Sequence, residues 1–189
     1  MTRIPSLLTV VIAVVLAVLG GRAISAQDKY TVQTPNGLAF SEFRGYEDWQ
    51  VVAVSQTEEL LKVIVANPAM IDAYRAGVPG NGKPFPDGSK IAKIEWRPRK
   101  ITDAPFSATT PDTVPGPLTA VEFIEKDAKR FADSNGWGYA MFDYDAASDT
   151  FAPATLASKP PQGNDAKCGA ACHKLAAAND YIFTAYPKR

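Results

Sequence analysis

The sequence predicts an α+β fold that is mostly β: an antiparallel sheet of five or six strands with short inserted helices, one of them near the C-terminus. Two observations carry this. Fifteen prolines and thirteen glycines in 189 residues interrupt the chain too often for a helical bundle. Between the interruptions lie short β-branched and aromatic runs of strand length.

Taken in order, WQVVAVSQ from Trp49 reads as a strand ending near Ser55, and LLKVIVAN from Leu60 as a second, with Lys62 its only charge. Asn67-Pro68 then opens a short packing helix. Asn is a favoured N-cap, Pro suits the first helical position and Gly77 can close the element in a left-handed conformation. Met70, Ile71 and Tyr74 share its apolar face. Val78 to Gly88 is loop, and Ser89 to Trp96 a third strand that Pro98 ends. A proline-studded stretch runs to Pro117. LTAVEFIE (118–125) and WGYAMFDYD (137–145) give two more strands, separated by one helical turn within DAKRFADSNG. A helical patch follows around residues 167–174, and YIFTAY (181–186) reads as a closing strand.

Residues 1–26 stand apart. Arg3, the run Leu7–Leu19, apolar apart from Thr9, and the mostly small-residue stretch Gly20–Ala26 have the order of a secretory signal peptide. The run is shorter than the roughly 20 apolar residues of a membrane-spanning helix; an uncleaved anchor is the alternative. Cleavage is expected after Ser25 or Ala26; removal of residues 1–26 leaves 27–189 as a single domain, long enough to hide about 70% of its unfolded surface. Arg3 and Arg22 leave with the leader, so 18 of the 20 basic residues face all 20 acidic ones. No clustered basic surface for nucleic acid is expected. Gly77–Lys83 spells GVPGNGK, but Pro84 follows where a P-loop needs Ser or Thr and a helix start, so this is a glycine-rich turn.

The window KCGAACHK (167–174) holds both cysteines, Cys168 and Cys172, and the only histidine, His173. Three readings compete. A disulfide across so small a loop would be strained and would gain little entropy. Structural zinc wants four ligands of Cys/His type, and the chain has three. Covalent haem attachment uses two cysteines followed directly by histidine, the imidazole serving as axial ligand. One such cofactor uses all three side chains and requires no others elsewhere, and the motif favours it. The spacing, however, is C-x-x-x-C-H. One extra helical residue adds about 1.5 Å and about 100° to Cys168 relative to Cys172. Cys172 and His173 are therefore expected to act as the usual pair, with Cys168 reaching by a bulge or left unattached. Gly169 is expected to allow the departure from helix through its backbone freedom.

Two further positions draw attention. Alternation places Glu122 with Leu118, Ala120 and Ile124, so its carboxylate meets apolar company and is paired, edge-exposed or raised in pKa to move protons. Glu125, with Val121 and Phe123 on the other face, should be bland. Lys93 lies on the face of Ile91 and Glu95, solvated or turned inward.

The stretches GYEDWQVVAVS, VANPAMIDAYRAG, FPDGSKIAKIEW, EFIEKDAKRFADSNGWGYAMFDY and CGAACHK…YIFTAYP, in that order over most of residues 46–187, resemble the cytochrome P-460 family. That family comprises exported single-haem c-type proteins, including the beta-type cytochromes c-prime. The resemblance implies a mostly antiparallel β-fold with its haem-attachment helix near the C-terminus. It implies one haem c on Cys168 and Cys172, with His173 as the metal ligand of a five-coordinate iron. Members that oxidise hydroxylamine link a lysine to a meso carbon of the porphyrin. That lysine falls on Lys93, whose pKa next to an apolar ring would be lowered. Glu122 falls on a distal acid suited to taking protons. These imply a periplasmic hydroxylamine oxidoreductase with Glu122 and Lys93 as catalytic residues, a soluble redox partner and, as often in the family, a homodimer. The alternative is binding of NO or CO without turnover. A lower-ranked one is electron transfer, which wants a second axial ligand from Met70 or Met141. The family's best-known enzymes have the shorter C-x-x-C-H spacing, so the number of thioether bonds is in question here.

Overall fold

The computed structural model describes residues 27–35, 37–101, 113–163 and 165–188. The predicted leader, residues 1–26, and part of the proline-studded stretch lie outside them.

Six strands form one sheet in chain order, antiparallel throughout: β1 (Gln50–Gln56), β2 (Leu61–Ala66), β3 (Lys90–Lys100), β4 (Thr113–Lys126), β5 (Trp137–Asp145) and β6 (Thr150–Pro153). The fold is the α+β, mostly β architecture expected. Helix α1 (Pro68–Arg75) follows β2, and the single-turn helix α2 (Ala170–His173) carries the Cys-His window. Asn67 caps α1 as its residue type predicts. Its Oδ1 accepts the Met70 N–H at 3.2 Å and also the Lys90 N–H at 3.0 Å, which ties the helix to the start of β3. Gly77 closes the element at φ 89°.

Strand alternation builds two cores, one on each face. The first joins Val65, Ala92, Val121, Phe123 and Phe142 to Leu38 and to Phe40 and Phe43 of an N-terminal 3₁₀ turn. The Phe43 and Phe123 rings stack at 4.1 Å, and Phe40 meets Phe123 edge-on at 5.0 Å. The second packs Ile91, Trp137 and Tyr139 against Met70, Ile71 and Tyr74 of α1, with Phe85 and Ile182.

Three expectations about elements are corrected. Pro98 does not end β3. Beyond Trp96 the strand has lost β2 as a neighbour and pairs only with β4, where Pro98 lies opposite Pro115 after a register shift; a residue without an N–H is tolerated at such an edge. The sixth strand is Thr150–Pro153, not YIFTAY. Residues 181–186 are irregular, because Tyr181 sits at φ 65° and the Thr184 carbonyl accepts a hydrogen bond from the Tyr74 hydroxyl, not from a strand. Leu118 does not share a face with Glu122. Glu95 pairs with Ala120 and Trp96 with Leu118, so Thr119 is the extra residue of a bulge. One inserted residue inverts the alternation, and Leu118 packs on the first core.

Candidate haem cleft

On the α1 face of the sheet, cross-strand pairing sets four side chains in one row: Ile64 on β2, Lys93 on β3, Glu122 on β4 and Met141 on β5. The next row contains Ile91, Ile124 and Tyr139. The C-terminal segment, with α2, folds back over these rows and encloses two adjoining cavities of about 240 and 250 Å³ that share Lys93, Glu122, Ile124, His173 and Phe183. Cys168, Cys172 and Tyr139 line the second, with Met141. All five residues singled out in the sequence thus converge on one cleft. Together the cavities reach the ~300–1,000 Å³ typical of cofactor sites.

His173 is held on three sides. Its Nδ1 donates to the Tyr181 carbonyl at 2.6 Å, and the Tyr139 and Phe183 rings lie 4.8 and 5.0 Å from its centroid. That bond assigns the proton to Nδ1 and leaves the Nε2 lone pair free to ligate, the usual second-sphere arrangement of a metal-binding imidazole. Burial lowers its pKa and Lys93's charge adds to this, against the opposing effect of the Tyr181 carbonyl. Neutral imidazole is the ligating form.

Both cysteines are free. Cys172 is exposed, while the Cys168 Sγ accepts the Gly163 N–H at 2.6 Å. Among the described residues no cluster of three His, Cys, Asp or Glu side chains is arranged to hold a metal ion. Gly169 acts otherwise than expected. Its φ of −75° is ordinary helix, but a Cβ there would lie 2.4 Å from Tyr139 Cδ1. Its lack of a side chain, not its backbone freedom, lets the window close onto β5.

Lys93 corrects a second expectation. Its Nζ lies 2.6 Å from Glu122 Oε2 and 3.2 Å from Glu95 Oε1. Burial would push the amine's pKa down, yet the charges of Glu122 and Glu95 outweigh it and the pKa is raised. The lysine is a cation in an ion-paired cluster. For Glu122 burial dominates: its pKa is raised against Lys93's attraction, with Glu95's charge adding to the rise. Its second oxygen, Oε1, is buried without a hydrogen-bond partner, a costly arrangement that a bound ligand or proton would relieve.

Glu95 was not singled out from sequence. It is only 2% exposed and bridges Lys93 to Lys62, whose Nζ is 3.7 Å away. The signal was present: a K-x-E spacing on a strand puts both side chains on one face. Tyr139, Phe183 and the Tyr181 carbonyl gave none, since only chain folding brings them to His173. Glu125 is on the predicted face but is not bland. It pairs with Lys90 at 3.1 Å, one of its oxygens is buried unpartnered, and burial raises its pKa.

The cleft meets the needs of a covalently held haem. Its apolar walls suit the porphyrin, two thiols and a free imidazole nitrogen share one side, and an unsatisfied carboxylate oxygen waits in the row beneath. A family model described as Cytochrome P460 matches residues 43–184, a span that includes every residue of the cleft. No curated protein matches the chain.

Proposed function

Since the chain belongs to the cytochrome P460 family and carries haem c, we propose that it oxidises hydroxylamine or a related small nitrogen species at a five-coordinate iron in this cleft. Residues 27–189 form the haem domain in this reading. Residues 1–26 direct it to the periplasm, in keeping with a family whose members are generally exported.

Cys172 would hold the macrocycle, with Cys168 reaching it by a bulge or left unattached, and His173 would ligate the metal through Nε2; a link from Lys93 to the ring would replace its ion pairs with Glu122 and Glu95. When bound, the haem would supply the redox chemistry. The chain supplies proton handling. Oxidation of hydroxylamine to nitrous oxide releases protons and electrons in equal number. Glu122, which lines the cleft and whose Oε1 is buried without a partner, accepts the protons, while Lys93 in its unlinked form fixes the other oxygen and so aims the carboxylate. Electrons leave to a soluble acceptor. The single observation that carries this reading is the unsatisfied Glu122 oxygen in the same cleft as His173 and both cysteines.

The test is turnover of the purified holoprotein with hydroxylamine and a soluble one-electron acceptor, reading acceptor reduction and nitrous oxide. Glu122→Gln should lower the rate about 10²–10⁴-fold while leaving NO affinity near wild type. An equal rate in the variant rejects Glu122 as the proton acceptor.

One observation favours the alternative of NO or CO binding without turnover: Lys93 is engaged by two carboxylates and is a less available partner for the ring. Binding of NO with no acceptor reduction would select it. For the electron-transfer reading, Met70 is fully buried in the second core, but Met141 lines the cleft. A low-spin, Met-ligated resting spectrum would select that reading.

A further inference from the structure

The carbonyl that receives the His173 Nδ1–H belongs to a turn that local preferences disfavour. Asp180 and Tyr181 are consecutive non-glycine residues at φ 47° and 65°, a left-handed conformation costing roughly 1–2 kcal/mol per residue. Such a turn persists only where its surroundings over-determine it. The backbone supplies two ties: the Tyr181 N–H donates to the Ala176 carbonyl at 2.9 Å, and the Ile182 N–H to the Asn179 carbonyl at 3.1 Å.

The remaining ties converge on the Asp180 side chain. Lys126 Nζ lies 3.0 Å from Oδ1 and 3.2 Å from Oδ2, and the Phe85 N–H donates to Oδ2 at 2.8 Å. Lys126 in turn donates to the Asn135 carbonyl at 3.2 Å and lies over the Trp137 ring at 5.0 Å. The two side chains are only 8% and 12% exposed. Three distant segments, the loop at Phe85, the end of β4 at Lys126 and the C-terminal segment at Asp180, are therefore pinned at one buried point. That point is one residue from the carbonyl that orients the imidazole.

We infer that Lys126 and Asp180 are positioning residues for the axial histidine: their buried ion pair holds the Tyr181 carbonyl against His173 Nδ1 and thereby sets the electron donation of the imidazole to the metal. This rests on His173 as the axial ligand. A stronger Nδ1–H···O bond gives the imidazole more anionic character, which strengthens its bond to iron and favours the ferric state. Releasing the turn does the reverse. The pair fastens the segment that covers the cleft as well, so a loss of stability alone would not distinguish a positioning role from a structural one.

The experiment compares wild-type holoprotein with Asp180→Asn, with Lys126→Met and with the double variant. The readouts are the iron–histidine stretching frequency of the ferrous form by resonance Raman, the midpoint potential and the thermal midpoint. Asn tolerates the left-handed conformation and keeps an acceptor for the Phe85 N–H, so Asp180→Asn is the variant most compatible with folding. The expected result is a lower stretching frequency and a higher potential in each single variant, both persisting in the double variant, where no unpaired charge remains. Lys126→Arg should restore the wild-type frequency. If thermal midpoints fall while the frequency stays at the wild-type value in haem-loaded Asp180→Asn and in the double variant, the pair is structural only and the inference is overturned. Where Lys126→Met takes up no haem, Asp180→Asn decides by the same criterion. Absence of any iron–histidine mode in the wild type would instead reject His173 as the ligand, a separate outcome.

Discussion

At the scale of single residues, the chemistry is decided by competition between burial and charge. Glu122 is a carboxylate whose burial outweighs the attraction of Lys93, so its pKa stands above the ordinary carboxylate range. A proton acceptor must be ionised, so hydroxylamine oxidation should fall as pH drops through a value above the ordinary carboxylate range. A pH profile of initial rates checks this, and an apparent pKa at the unperturbed value would contradict it. The linkage has a definite sign. The folded state holds the Glu122 proton more tightly than the unfolded state, so this residue makes stability decline as pH rises from the unfolded pKa to the raised folded one. Denaturant melts of Glu122→Gln should show a shallower decline across that window. Lys93, raised by its carboxylate partners, contributes stability that is present below its unfolded pKa and is lost as pH rises through the folded one. If Lys93 is linked to the ring, the ferrous Soret band will be red-shifted and broadened, and Lys93→Leu should return it to an ordinary c-type position. A shift that survives the substitution would remove Lys93 from that role. That Lys93 and Glu95 share a face was legible from period-two alternation; that Glu122 joins them was decided by the cross-strand register that pairs it with Lys93. That Lys93 is a paired cation was not legible, because the pKa depends on which partners cross-strand register brings within 4 Å.

At the scale of elements, the four-residue helix α2 is too short to be stable by itself and exists because it is docked. Gly169 is the contact point. Gly169→Ala would drive a methyl into the Tyr139 ring, and the overpacking should cost about 1–3 kcal/mol, read as a lower thermal midpoint with poorer haem incorporation. Unchanged stability would mean that Tyr139 yields freely. The cysteines at the two ends of the window should differ. Cys172, adjacent to His173 and exposed, is the expected anchor. Cys168 is engaged by the Gly163 N–H. In a Lys93→Leu background, which removes any link from that lysine, Cys168→Ala should therefore keep the haem mass on the denatured chain and Cys172→Ala should lose it; haem mass retained in the second variant would show that Cys168 is attached as well, and intact mass spectrometry distinguishes the two. Elements with strong local signals, such as the Asn67-capped helix and the β-branched strands, were readable in advance. The closing strand was misread because YIFTAY has strand composition, whereas its backbone groups are spent on Tyr74 and His173.

At the scale of the whole molecule, the sheet separates support from chemistry. One face carries an aromatic core centred on Phe40, which contacts the Tyr30, Tyr46, Phe123, Phe142 and Phe151 rings; the other carries the cleft. Phe40→Ala should cost about 3–5 kcal/mol, seen as a lower denaturation midpoint. Because the two faces share strands, the loss should appear in one cooperative transition that also releases the haem environment. Two separate transitions would show that the faces unfold independently. By itself the sequence determined the fold class, the Cys-His window and the two polar residues on the cleft-facing rows, because local patterning and strand alternation are properties of neighbouring residues. Only the tertiary structure decided the partner of His173, the ion pairing of Lys93, the unsatisfied Glu122 oxygen and the bulge that inverts Leu118. Each depends on contacts between segments far apart along the chain, whose register and distance no local pattern encodes.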